Sequence, residues 1–197
     1  MVANHIKKKS AIIIVLMFIS CSNYFINSKG AIRPKKARFS LSIIKEQDHI
    51  DEIDTMTLYE LIYRWNGKKD FDLSTNSSLF RIDNYRNYDG SKLNSKEYLR
   101  FYDSGRTSFF NISKETTITR NTLNPENGNI GVYTIHDGNI LIERFVGIGH
   151  DGMYLKSRAK LIGDSLYIIE KTLNNYIHKI YVPKKISKES FDWEARW

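Results

Sequence analysis

The stretch from Gly131 to Val182 constrains the fold of this chain more than any other. It reads GVYTIHDGNILIERFV, then MYLKSRAKLIGDSLYIIEK, then YIHKIYV. Apolar and polar residues alternate inside each run, which is the period of a strand with one face buried. The runs are separated by Asp137-Gly138, Gly163-Asp164 and Asn174-Asn175. Dipeptides of this type favour the left-handed backbone that tight hairpins need. The pattern predicts strands over Gly131–His136, Asn139–Val146, Met153–Ile162, Ser165–Lys171 and Tyr176–Val182. In the third of these, Met153, Leu155, Ser157, Ala159 and Leu161 share one face, and Tyr154, Lys156, Arg158 and Lys160 the other.

The same pattern extends upstream. Leu79–Tyr88 alternates, and so does Glu97–Asp103, where Leu99 and Phe101 oppose Tyr98, Arg100 and Tyr102. Asp103-Ser104-Gly105 is a tight turn with glycine at its left-handed position, and Arg106–Ile112 is the returning arm. Phe39–Ile44 also alternates and reads as a short first strand. Residues 55–65 stay open between strand and short helix. Leu58, Leu61, Ile62 and Trp65 make a helical stripe, but Thr, Tyr and Trp favour strands. About eight strands joined by short turns are expected, a mainly β antiparallel meander that removes its edges best by closing into an up-and-down barrel.

Three segments then resemble a known family. They are Arg100-Phe101-Tyr102-Asp103-Ser104-Gly105, the hairpin Gly131–Ile140, and Gly163-Asp164-Ser165-Leu166-Tyr167-Ile168. Together they look like the hairpins of small lipocalin-like lipoproteins of Gram-negative bacteria. The resemblance covers roughly residues 79–182 and implies a lipocalin-like barrel. Its motifs mark turns, so it implies no catalytic residue.

The N-terminus reads as an export signal over residues 1–20. Lys7-Lys8-Lys9 precede an apolar run, Ala11–Ile19, about half as long as a spanning helix requires. Phe18-Ile19-Ser20-Cys21 resembles the lipobox of bacterial lipoproteins. That resemblance implies cleavage before Cys21, the only cysteine of the chain, and its modification by diacylglycerol, with the membrane as partner. Residues 21–38, polar and basic without an apolar period, read as a flexible tether. Within it the basic run Lys35-Lys36-Ala37-Arg38 is placed to meet anionic headgroups. Residues 39–197 are expected to form one domain. The expected location is the cell envelope, with the chain anchored in a bacterial membrane, the outer one favoured.

The formal charge of +8 falls to +5 without residues 1–20, whose three lysines face no acid. The remaining cations are scattered, and no nucleic-acid motif accompanies them. Gly147-Ile148-Gly149-His150-Asp151-Gly152 matches a dinucleotide fingerprint, but a strand follows it where a helix N-terminus is needed. No two of His5, His49, His136, His150 and His178 sit at metal-ligand spacing. No strained nucleophile turn occurs. The expectation is therefore no enzyme, no cofactor and no metal.

Two functional readings follow. In the first, the barrel binds a small apolar molecule or a protein partner, with Tyr85, Tyr98, Tyr102 and Tyr133 as candidate lining residues, since tyrosine pairs an apolar face with a polar tip. In the second, a filled barrel acts through its loops, as an envelope scaffold or an enzyme inhibitor. Phe191, Trp193 and Trp197 near the C-terminus are candidates to cover a barrel mouth or cap the core.

Overall fold

The computed structural model describes residues 23–41, 53–69, 80–81, 94–136, 138–148, 151–172 and 175–197. Its strands are β1 (Tyr24–Ile26), β2 (Ile32–Pro34), β3 (Leu58–Gly67), β4 (Phe80–Arg81), β5 (Ser95–Tyr102), β6 (Arg106–Ser113), β7 (Asn129–His136), β8 (Asn139–Ile148), β9 (Asp151–Ile162), β10 (Ser165–Lys171) and β11 (Tyr176–Lys184). From β5 onward each strand pairs antiparallel with the next, β3 pairs with β5, and β11 returns to pair with β3. The eight strands β3 and β5–β11 thus form a closed barrel in meander order. Closure leaves no unpaired edge in the cycle. The short β4 pairs with β3 at Tyr63 and Arg64, beyond the reach of β5.

The turns follow the sequence chemistry. Ile162 pairs with Ser165 across Gly163, whose φ is 59°. Tyr102 pairs with Arg106 across Asp103-Ser104-Gly105, with Gly105 at φ 69°. Each turn puts glycine where a side chain would be strained.

Register fixes which residues face inward. Ile142 pairs with Tyr133 on one side and Ser157 on the other, and Ala159 pairs with both Ile140 and Ile168. The inner core joins Tyr59, Leu61, Leu99, Phe101, Phe109, Tyr133, Ile140, Ile142, Ala159, Leu166, Ile168 and Tyr181. Ile53, just before β3, joins the same cluster at the end where β3 begins. A second cluster lies on the outer face: Leu58, Tyr98, Phe110 and Ile112 are covered by Leu123 and Phe191. The tail therefore packs on the side of the barrel, not over a mouth. Arg100 holds it there through the carbonyls of Phe191 and Trp193, and Arg106 Nε donates to Trp197 O at 3.0 Å.

Of residues 55–65, those from Leu58 onward are strand, after a turn at Thr55-Met56, and the helical stripe has a physical cause. Ile180 of β11 pairs with Tyr63, but the next residue, Tyr181, pairs with Leu61, leaving Ile62 as a bulge. The bulge shifts the alternation by one. Tyr59 and Leu61 face inward before it, and Trp65 turns outward after it, where it stacks on His178. Leu58, Leu61 and Trp65 therefore serve two faces of one bulged strand.

The segment read as a flexible tether is packed from Asn23 to Leu41. Strands β1 and β2 form a hairpin whose turn is held by Asn27 Oδ1, which accepts from Lys29 N (3.0 Å) and Ala31 N (2.9 Å). Arg33 fixes β2 to the barrel through the carbonyls of Gly128 and Pro125. Tyr24 lies against Phe145 on the outside of β8, and Phe39 meets Tyr154 edge-on at 5.1 Å. The expected strand at Phe39–Ile44 does not form over residues 39–41, and residues 42–44 lie outside the described residues. There the backbone donors go to a side chain. Buried Glu143 accepts from Ser40 N at 2.6 Å, Leu41 N at 2.9 Å and Ser40 Oγ at 3.1 Å. Bonds to a charged acceptor contribute about 1.5–3 kcal/mol each, and their loss exposes the segment. Glu143→Ala is expected to speed tryptic cleavage after Lys35 and Lys36 by about tenfold or more, the factor for about 1.4 kcal/mol of local opening. Unchanged cleavage would show that the carboxylate does not hold the strap.

Candidate functional site

The inside of the barrel is not uniformly apolar. Toward the end where β3 finishes, the inward positions carry Glu97 (β5), Arg144 (β8), Glu170 (β10) and Lys179 (β11). Arg144 Nη2 lies 2.6 Å from Glu170 Oε2, and Lys179 Nζ lies 3.1 Å from Glu97 and 3.8 Å from Glu170. Tyr181 donates its hydroxyl to Glu97. Each pair reaches across an intervening strand, Arg144–Glu170 over β9 and Lys179–Glu97 over β3, which places the contacts in the lumen. The small inward Ser157 sits directly between Arg144's strand and Glu170. Two acids here face two cations, and Arg64, which pairs with Lys179 in register, adds a third positive charge beside them.

Burial sets the electrostatics of this layer. It would raise the Glu97 carboxyl, but the charges of Lys179 and Arg144 and the bonds from Tyr181 and Lys179 outweigh it and bring the pKa to about 2. Burial, joined by the Arg144 charge, lowers the Lys179 ammonium against the pull of Glu97 and Glu170. Burial also pushes the Tyr181 phenol well up, with the Glu97 charge adding to it. Arg144 stays firmly charged: burial opposes it, and Glu170 and Glu97 prevail. Its guanidinium lies 4.8 Å from the Phe109 ring centre. Every carboxylate here is engaged by a cation, so the layer offers a locked ion-pair network.

The candidate tyrosines do not share one space. Tyr133 faces inward and is fully buried, its ring edge on Phe101 at 4.9 Å and its hydroxyl donating to Tyr102 O at 3.0 Å. Tyr98 and Tyr102 lie on the outer face. Tyr98 belongs to the cluster under Phe191. Tyr102 packs beneath Arg100 and donates to Ser108 Oγ at 3.3 Å. Tyr85 and Cys21 lie outside the described residues.

Two open clefts flank the tail on the outside. The larger, about 800 Å³, lies between the β1–β2 hairpin, the β6–β7 connection and the C-terminal residues. Its wall includes Arg33, Arg120, Trp193 and Trp197. Arg120 sits 4.8 Å over the Trp193 ring and 3.6 Å from Asp192. The smaller cleft, about 480 Å³, runs along Met56, Arg100 and Arg106.

His178 was not singled out by its surroundings in sequence, yet it is buried on the outer face of β11. Its Nε2 donates to Lys68 O at 2.7 Å, so Nδ1 accepts from the Tyr167 hydroxyl at 2.6 Å. Trp65 stacks on the imidazole at 5.1 Å. Burial lowers its pKa, with the Lys68 carbonyl opposing. Gly67 makes room for it, because a Cβ there would lie 2.5 Å from Nε2. This is a packed, hydrogen-bonded histidine. The turns bearing His136 and Asp151 fall at opposite ends of β8.

Among the described residues, no three His, Cys, Asp or Glu side chains converge as a metal site, and no helix is long and apolar enough to cross a membrane. Comparison with known proteins matches no family model and no curated protein.

Proposed function

We propose that this chain is a bacterial envelope lipoprotein, attached to a membrane through Cys21, whose filled barrel is a rigid scaffold that acts through its outer surface. On this reading it belongs with the small lipocalin-like lipoproteins that its turn motifs resemble. The observation that carries the scaffold reading is the occupied interior. Leu99, Phe101, Tyr133 and Tyr181 have no measurable exposure, and Lys179 is 2% exposed among its ion-pair partners. A barrel that holds a drug-sized molecule keeps a pocket of roughly 300–1,000 Å³. Three described clefts of that size lie outside, two beside the tail and one beside Lys96 and Lys184. A small-molecule reading therefore moves to the Arg120–Trp193 cleft, where a cation stacked on an indole favours a flat or anionic group.

Two measurements test this. Radiolabelled palmitate is expected to enter the wild-type chain and not Cys21→Ala, and label retained in the variant would remove the anchor. Native mass spectrometry of the full chain is expected to find no retained small molecule. A co-purifying ligand would overturn the scaffold reading, and one whose binding survives Trp193→Ala would not sit in the Arg120–Trp193 cleft.

A further inference from the structure

We infer that the face formed by the β1–β2 hairpin, the strap that follows it and the outer side of β9 docks flat on an anionic lipid bilayer. The inference rests on the Cys21 anchor proposed above and adds the orientation of the barrel. From Cys21 to Tyr24, the first residue of β1, three residues of extended chain span at most about 10 Å. Asn23 is already bonded to the barrel, since its Oδ1 accepts from Gly152 N at 2.8 Å and its Nδ2 donates to Gly152 O at 3.3 Å. An acyl chain at Cys21 therefore leaves no slack. The hairpin lies at the headgroups whenever the anchor is inserted.

The surface presented there suits that position. Phe25 is 48% exposed and Ile26 64%, two large apolar side chains on the hairpin while their neighbour Tyr24 packs inward on Phe145. Side chains of this kind bury in the interfacial layer when a surface element lies on a bilayer. Exposed cations lie around them: Lys29 in the hairpin turn, Lys35, Lys36 and Arg38 in the strap, and Lys156 on β9. The strap and β9 form one surface, because Arg38 N donates to Tyr154 Oη at 2.8 Å. Glu143, opposite Lys156, turns its carboxylate into the strap and does not present it to the outside. Glu126, bonded to Asn27 Nδ2 through its carbonyl, is the exposed acid beside the turn. Apolar side chains ringed by cations match the depth profile of an anionic membrane surface.

The test uses the full chain, reconstituted into phosphatidylcholine vesicles with and without phosphatidylglycerol. An environment-sensitive nitrobenzoxadiazole maleimide is attached at Lys29→Cys, or at Lys188→Cys as a control on the tail side. With phosphatidylglycerol, emission from position 29 is expected to shift to the blue and to be quenched by nitroxide-bearing lipid, while position 188 is not. Phe25→Asp with Ile26→Asp, or Lys35→Glu with Lys36→Glu and Lys156→Glu, is expected to abolish that quenching. Equal quenching at 29 and 188, or none at 29 in vesicle-bound protein, overturns the inference. The unmodified chain separates this from the anchor: an acylated Cys21 takes no dye. Dye uptake there removes the lipid anchor, and quenching at position 29 in a Cys21→Ser background then decides docking alone.

Discussion

Lys179→Met will lower folding stability by about 3–5 kcal/mol, the usual consequence of removing one partner from a buried ion pair. The size follows from what remains. Without the ammonium, Glu97 and Glu170 lose a direct partner and keep Arg144, with Arg64 nearby, in a layer lined by Tyr181 and Phe109. Adding Glu97→Gln restores the balance, because Arg144 and Glu170 stay paired at 2.6 Å. The double variant is therefore expected to recover part of the loss, with a coupling of about 0.5–3 kcal/mol. Urea unfolding of the four proteins of this cycle measures both numbers. A single variant within about 1 kcal/mol of wild type would mean that water reaches the charges, and the filled-interior reading would fall with it.

The same network predicts an acid limb. The Glu97 pKa lies at about 2 in the folded chain, below its ordinary value of 4.5. A carboxylate depressed in this way stabilises the fold fully above its unfolded pKa and loses that contribution as pH falls toward the folded one. The stability gap between wild type and Glu97→Gln is thus expected to be constant above about pH 5 and to shrink between about pH 4.5 and 2. A gap that widened on acidification would contradict the assignment.

The barrel was legible in the sequence because its strands mostly obey one rule. β9 alternates without exception from Met153 to Ala159, and the turns at Gly105 and Gly163 carry the residue that their backbone demands. The charged layer broke the rule that made the strands visible. Alternation assigns charges to the solvent face, but Glu170 shares a face with Leu166 and Ile168, and Lys179 shares one with Ile177 and Tyr181. For Lys179 that spacing was a readable signal: a lone charge two positions from apolar neighbours on both sides sits on the buried face, whereas Glu170 has Ile168 on one side only and Thr172 on the other. What could not be read is that Glu97, distant in sequence, supplies the counter-charge. The strap was missed for a different reason. It has no apolar period, and it is held by Asn27, Arg33 and Glu143 through bonds to backbone groups. Such contacts leave no pattern in composition.

The most direct test of a filled barrel is to empty it. Phe101 is fully buried, meeting Tyr59 edge-on at 6.0 Å and Tyr133 at 4.9 Å. Phe101→Ala is expected to cost about 3–5 kcal/mol, the transfer loss of the ring plus the cavity it leaves. At about 2–4 °C per kcal/mol for a chain of this size, the melting temperature should fall by roughly 10 °C. Neighbouring rings on β3 and β7 limit collapse, so the space should persist as a dry apolar cavity of the kind that takes benzene. Saturating benzene is then expected to raise the melting temperature of Phe101→Ala through mass action on the folded state. The wild-type barrel, with Phe101 in place, should show no such shift. If benzene stabilises wild type as much as the variant, the barrel already holds an apolar site near Phe101. The interior, and not the outer face, would then be the place to look for its ligand.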